Sequence, residues 1–419
     1  MTDSILTLNS SSALLNALAG GQDGSAPMSK LTDPFTFRTK YNVLSTSKKI
    51  VKIDPRNQPT AAPFSKTVNF DILKNGLWEW AVIQVNLTLN ADESVNNGSS
   101  FAARIFSELI ISAHGSVIAR LCPEAIHALI EHSPVNKSLQ YKKMLNGNAP
   151  TLTAGAVTFY IPIMTFNFEN TYNYMYLNAL EDLQVQCTFN SRSNMGLTAD
   201  TTACTVYLHC CYRNMTTPML NAYKSFMFKE NKKLQQLAYS FEQETPQALT
   251  AAVGGVVTTR KNILAEKVVA KTYFYFARTD GNFGPVANFK ITSVTVNING
   301  DEVFREVPIE LLNYDNAILN DRIDLAVSQA GALTNDTEIG AATGTGAVYC
   351  INWALLNDNN SYTGGVAFKG NNSSITIVSA YTAFAGPLAA TAFQLHMVHQ
   401  YHRVVNVESN GRLSVFDAL

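Results

Sequence analysis

From Phe64 onward the chain alternates apolar and polar residues with a period of two. Val68, Phe70 and Ile72 alternate with Thr67, Asn69 and Asp71, and Ile83, Val85, Leu87 and Leu89 alternate with Gln84, Asn86 and Thr88. Successive side chains of a strand point to opposite faces, so this beat predicts half-buried strands. It returns at Leu109, Ile111 and Ala113, at Val185, Cys187 and Phe189, at Thr272, Phe274 and Phe276, and at Val294, Val296 and Ile298. Helical periodicity is scarce. Pro123 to His132 carries it, with Pro at the first turn and Ile126, Leu129 and Ile130 on one face, as does Pro218 to Phe228. Many strands, few helices and no strand–helix–strand alternation predict all-β sandwiches.

The pattern repeats itself. Leu109 to Pro123 and Val294 to Pro308 each read as an alternating strand, a turn with glycine (Gly115, Gly300), and a short second strand. Each second strand ends in an arginine (Arg120, Arg305), and a proline that opens a helix follows. The glycines suit a tight hairpin, which requires positive φ. A second echo joins Val206-Tyr-Leu-His209 to Phe393-Gln-Leu-His396 at nearly the same offset. Duplication sets the expected boundaries: an arm at 1–32, a first module at 33–217, a connector at 218–233 and a second module at 234–419. Each module has room for about eight strands, so the expected architecture is two tandem eight-stranded jelly-roll sandwiches with few short helices. The surplus length falls in loops at 91–101, 136–155, 191–202, 277–284 and 326–347.

The first thirty-odd residues have a different chemistry. Ser10 to Ser12 could cap a short helix with Leu14, Leu15 and Leu18 on one face, before Gly20-Gly21 breaks it. This segment reads either as a loose terminus or as an arm that orders on a partner. Met1 to Ser12 lacks the cationic start of a signal peptide. The least polar long stretch, Ala380 to Val398, holds Pro387, Gln394 and His396 and is rejected as a membrane span.

Composition narrows the function. Hydrophobic residues make up 46% of the chain, enough for two cores, and charged residues only 15%. So sparse a charge leaves a weakly self-repelling surface, suited to flanks that copies of the chain will cover. A net charge of −1 argues against a dedicated nucleic-acid binder. Lys48, Lys49, Lys52 and Arg56, and Lys224, Lys229, Lys232 and Lys233, are read as solvated faces, with a face toward nucleic acid or an anionic membrane as the alternative. The six cysteines show no metal spacing and are expected to be buried free thiols.

Catalytic patterns are not legible. Gly344-Thr-Gly346 lacks a third glycine and a surrounding βαβ unit. On a strand His396 and His402 share a face while His399 points the other way, so a metal site is set aside in favour of surface or inter-subunit hydrogen bonding. Asp92-Glu93, Glu181-Asp182 and Asp301-Glu302 are adjacent carboxylates, which cannot converge across a cleft as acid/base pairs do. Cys210-Cys211 reads as ordinary burial of one thiol. Tyr172, Tyr174 and Tyr176 could line one face toward a neighbouring subunit, whereas Trp78, Trp80, Tyr273 and Tyr275 should be mostly core. No catalytic residue, metal ligand or cofactor is expected.

The Ile110-to-Pro123 hairpin, the Phe159-Tyr-Ile-Pro-Ile163 strand with the Asn178-to-Val185 stretch, Lys271-Thr-Tyr-Phe-Tyr-Phe276 and the Ile291-to-Pro308 segment carry a family resemblance. Over roughly Phe64 to Val405 the chain resembles the double jelly-roll major capsid proteins of nucleocytoplasmic large DNA viruses, virophages and polinton-like viruses. Asn178-Ala179 departs from the second proline common there. The resemblance implies a non-enzymatic shell protein of an icosahedral double-stranded DNA virus, made in host cytoplasm and located in the virion. It implies pseudo-hexagonal homotrimers, with minor capsid and penton proteins and an internal membrane as further candidate partners. Rival readings are a carbohydrate-binding or cupin-like jelly roll, a minor capsid or spike component, and a two-sandwich enzyme.

Overall fold

A computed structural model describes residues 46–59, 61–74, 76–91, 98–131, 140–141, 143–145, 152–164, 175–177, 180, 182–215, 217, 234–279, 289–312, 348–353, 365–368, 372–381, 390–407 and 413–417. The expected arm, the connector and the loop at 326–347 lie outside these residues, as do the helix at 218–228 and most of the loops at 136–155 and 277–284.

The first half contributes β1 (Thr46–Ile53), β2 (Thr67–Asp71), β3 (Leu77–Leu89), β4 (Phe106–Ala113), β5 (Ser116–Leu121), β6 (Gly155–Pro162), β7 (Met175–Tyr176), β8 (Gln184–Phe189) and β9 (Ala203–Met215). Helices α1 (Gly98–Ala103), α2 (Pro123–Glu131) and α3 (Arg192–Met195) fall between them. One sheet runs β1-β9-β3-β6, with β7 beside β3, and the facing sheet runs β2-β8-β4-β5. Ile83, Val85, Leu87 and Leu89 of β3 meet Val68 and Phe70 of β2 and Val185, Cys187 and Phe189 of β8 in one core. These are the positions the period of two singled out. Burying each large apolar side chain contributes about 1.5–3 kcal/mol.

The second half adds β10 (Leu234–Gln243), β11 (Gln247–Ala248), β12 (Val256–Asn262), β13 (Val268–Arg278), β14 (Phe289–Ile298), β15 (Asp301–Pro308), β16 (Tyr349–Asn352), β17 (Val366–Ala367), β18 (Ser374–Tyr381), β19 (Phe393–Val407) and β20 (Leu413–Asp417). Its sheets run β10-β19-β13-β16, edged by β11, β17 and β20, and β12-β18-β14-β15. Setting the small flanking strands aside, the order is the same in both halves. The first, last, third and sixth strands make one sheet, and the second, seventh, fourth and fifth make the other. That is a jelly roll, made twice.

The sequence repeat maps onto equivalent parts. The β4–β5 and β14–β15 hairpins both close with two residues at positive φ, His114 (49°) and Gly115 (73°), and Asn299 (53°) and Gly300 (97°). This is the turn whose twist matches paired strands. A Cβ on either glycine would meet nothing within 4 Å, so glycine is there for its backbone freedom and not for space. The His209 and His396 echoes lie on equivalent strands, β9 and β19, each the last of the eight main strands of its half.

One expectation holds and one changes in detail. Pro123 opens α2, and Pro308, the last residue of β15, is followed directly by helical residues at 309–312. The stretch 191–202 holds α3, capped by Ser191, whose Oγ accepts from the Asn194 N–H at 3.2 Å, and closed by Gly196 at φ 73°.

Candidate functional site

The most constrained polar chemistry lies where the two sandwiches meet. Along β13, Phe274 and Phe276 enter the second core, while Tyr273, Tyr275 and Ala277 point the other way and join the first-half core. β19 divides likewise: Leu395, Met397 and Tyr401 face the second core, and Val398 and Val405 face the first. The sheet β10-β19-β13-β16 is therefore a middle layer with both faces covered. Its outer face is covered by α2, which packs on β10, β13 and β19, and by β5, which packs on β10, β19 and β20.

Helix α2 is suited to this place. Pro123 presets its first turn, and Ile126, Leu129 and Ile130 bury in the first core as expected. Its polar residues Glu124 and His127 are buried as well. The His127 and Tyr275 rings meet edge to face with centroids 6.1 Å apart, and His396 stacks on Tyr275. The His396 Nδ1 lies 3.0 Å from Gln243 Nε2 and 3.9 Å from Glu124 Oε1, and its Nε2 lies 2.9 Å from Gln394 Nε2. A neutral imidazole has one N–H and one lone pair, so one of these amides must present its oxygen. Burial lowers the pKa of His396 to about 4. Burial, with the Arg104 guanidinium and His396 nearby, lowers that of His127 to about 3. Glu124 is pushed up by burial against smaller opposing contributions from its hydrogen bonds and Arg104. Two cross-links complete the seam: the Arg120 N–H donates to Ser240 Oγ at 3.1 Å, and Arg403 Nη1 donates to the Val117 carbonyl at 2.8 Å.

The histidine expectation needs correction. His396 and His402 do share a face of β19 opposite His399, but all three are buried within the chain and none serves the surface. Packing of the two halves against each other covers β19 on both sides, which no single-strand pattern reveals. His399 sits in a buried chain of contacts. Its Nδ1 is 3.0 Å from Thr272 Oγ1, its Nε2 is 3.3 Å from Glu244 Oε1, and Lys261 Nζ lies 3.6 Å from Glu244 Oε2. Burial raises the Glu244 pKa, but hydrogen bonds from His399 and the Leu264 N–H, with Lys261 close by, outweigh it and hold the carboxyl below its ordinary value. Thr272 also accepts from Trp353 Nε1 at 3.0 Å and is itself buried, so the group ties β12, β13 and β19 to Glu244, the residue that follows β10. Neither Glu124 nor His127 was singled out from sequence; polar residues set among the apolar positions of the helix were the available signal.

The outer face of the first sheet is the counterpart of the buried seam face. There Trp80, Val82, Gln84, Tyr207 and His209 are only half-buried, Tyr160 is 39% exposed and Ile50 57% exposed. His209 Nε2 lies 2.7 Å from Gln84 Oε1, Lys52 sits 3.4 Å over the Tyr207 ring, and Glu79 takes Arg213 at 2.9 Å and Lys48 at 3.8 Å. At the far side of the second sandwich, β15 is the counterpart of β5. Ile118 and Ala119 of β5 are buried, whereas Val303 of β15 is 50% exposed and Leu311 of the turn after it 56%. Each chain thus holds one completed seam and one exposed half of a seam at each end.

Other candidates resolve simply. Lys48, Lys49, Lys52 and Arg56 are exposed, and Arg56 pairs with Asp71 at 2.6 Å. The lysines at 224–233, Gly344 and Gly346, Asp92, Glu93 and Glu181, Tyr172 and Tyr174, and the side chain of Tyr176 lie outside the described residues. Asp301 and Glu302 are exposed on β15. All six cysteines are free, and both Cys210 and Cys211 are buried, one more than expected; burial pushes each thiol up to about 12. Among the described residues no group of three His, Cys, Asp or Glu could hold a metal ion. No described helix is long and apolar enough to cross a membrane.

No family model matches the chain, and no curated protein matches it. Solved structures do. PBCV-1 VP54 aligns with a TM-score of 0.68 over 91% of this chain and 100% of its own, at 14% identity. The fold is the double jelly roll of viral major capsid proteins. The Faustovirus major capsid protein aligns at 0.58 over 96% of this chain and 98% of its own, at 9% identity. The mavirus major capsid protein aligns at 0.51 over 93% and 95%, at 12% identity. At such identities the likeness is one of fold, and it runs nearly end to end in both partners.

Proposed function

We propose that this chain is the major capsid protein of an icosahedral double-stranded DNA virus, closing as a homotrimer into pseudo-hexagonal capsomers and acting as structure and not as an enzyme. The observation that carries the reading is the pair of exposed half-seams. β15 and the turn at 309–312 correspond to β5 and α2, and the outer face of β1-β9-β3-β6 corresponds to the covered face of β10-β19-β13-β16. One copy's second sandwich can therefore pack on the next copy's first sandwich as the two halves of a chain pack on each other. Head-to-tail contacts of this kind close into rings when the rotation allows, and three chains of two sandwiches make six similar wedges. The end-to-end likeness to capsid proteins supports the same geometry. In this reading the arm at 1–32 and the connector at 218–233 bracket modules at 33–217 and 234–419, and the arm ties neighbouring trimers or a minor capsid protein on the inner side. The product is a virion component, with penton proteins and an internal membrane as candidate neighbours.

Light scattering behind size exclusion tests it. A stable species of about 137 kDa, three times the 45.8 kDa chain, is expected, with an interface above ~2,000 Å² as obligate assemblies have. A clean monomer at micromolar concentration would overturn the proposal.

A further inference from the structure

We propose that the seam between the two sandwiches is a proton-operated latch. His127 from the first half and His396 from the second flank Tyr275 in a buried site, and their protonation in mildly acidic medium loosens α2 from the sheet β10-β19-β13-β16. The inference rests on the seam within one chain, so it stands or falls apart from the capsid reading.

The geometry favours neutral rings. His396 lies between Gln243 and Gln394 and flat on Tyr275, and a second ring proton would require both amides to turn their oxygens to it. His127 Nε2, Glu124 Oε2 and the Tyr275 hydroxyl are buried without a hydrogen-bond partner, so a proton added at His127 Nε2 meets no hydrogen bond already formed to hold it. The groups facing the histidines are Glu124 and His127 on α2, Cys122 before it, Arg104 after α1, Tyr275 on β13, His396 on β19 and Gln243 on β10. Arg104 repels a proton on His127. Glu124 is the facing carboxylate, and at 3.9 Å from His396 it offers partial compensation.

Both histidines titrate below their ordinary value of 6.5 in the closed seam, at about 3 and about 4. The closed state is therefore fully favoured above pH 6.5 and loses ground as pH falls toward those values. Linkage gives an opening constant about 30-fold larger at pH 5 than at neutral pH for each histidine that becomes exposed. Glu124 works the other way, because its raised pKa makes the closed state bind its proton more tightly. The two histidines drive the opening as pH falls, and Glu124 opposes them.

Hydrogen–deuterium exchange of the full chain at pH 7.5 and pH 5.0, corrected for intrinsic rates, reads the latch. Exchange in α2 and β5 is expected to accelerate by at least ~30-fold on acidification while β3 and β9 hold their protection. His127→Gln with His396→Gln should abolish most of that acceleration, and each single replacement should remove about 30-fold of it, which covers a double variant that does not fold. Glu124→Gln should shift the opening to higher pH. An unchanged α2 at pH 5, acceleration spread equally over β3 and β9, or full acceleration in the histidine variants would overturn the latch.

Discussion

The imidazole of His396 lies flat on the ring of Tyr275, with centroids 5.3 Å apart and planes 7° from parallel. One residue is on β19 and the other on β13, and they pair directly across those strands. Their shared face belongs to the second sandwich, yet what covers it, α2, comes from the first. The relationship makes one body of two modules, and it puts a titratable ring where water does not reach.

Global stability should follow that burial. Desolvation lowers His127 to about 3 and both His396 and His402 to about 4, with Arg104 and His396 adding to the effect at His127 and Lys271 at His402. Folded values below the unfolded 6.5 mean stability is complete above pH 6.5 and falls as pH drops through the folded values. Each histidine should cost on the order of 2 kcal/mol by pH 5. Calorimetry should find a lower Tm at pH 5 than at pH 7.5; an equal or higher Tm would contradict the sign.

Glu244→Ala leaves Lys261 buried without its carboxylate and removes the acceptor of His399 and of the Leu264 N–H. Breaking a buried pair from one side costs about 3–5 kcal/mol. Urea unfolding should show the loss, and a variant within 1 kcal/mol of the parent would show the group to be dispensable.

At the two hairpins, Gly115→Ala and Gly300→Ala meet open space but hold φ at 73° and 97°. Each should cost about 1–2 kcal/mol through backbone strain alone, and Gly→Asn less. Chemical denaturation of both pairs measures the difference, and equal losses for Ala and Asn would point to some other cause.

On the exposed half-seams, Ile50→Asp and Leu311→Asp place charges at positions 57% and 56% exposed in the single chain. Little stability should be lost from the isolated chain, within about 0.5 kcal/mol. The assembled mass should fall from three chains toward one. A trimer that survives both changes would place the contact elsewhere.

Removing residues 1–30 should spare the trimer and impair shell assembly, seen by light scattering and electron microscopy respectively. Normal shells from the truncated chain would remove the arm from the assembly scheme.

Much of the fold was legible because a strand writes its burial into alternate residues. Ile83, Val85, Leu87 and Leu89 could be assigned to a core from their spacing, and Gly115 and Gly300 marked the duplicated hairpin because only a positive φ closes it in two residues. The site was less legible. His396, His399 and His402 were placed correctly by face but wrongly by exposure, and Glu124 and His127 passed unnoticed on a helix whose apolar side alone was counted.

By itself, then, the sequence determined the β class, the duplicated module and the inward face of each strand, since these depend on local periodicity and on turn geometry. Only the tertiary structure decided that β19 and β13 are covered on both sides, that α2 carries its polar residues into the seam, and that β15 and the outer face of the first sheet remain open. Those outcomes depend on which surface of one sandwich meets which surface of the other. Residues far apart in the chain make that contact, so no periodicity within a strand can record it.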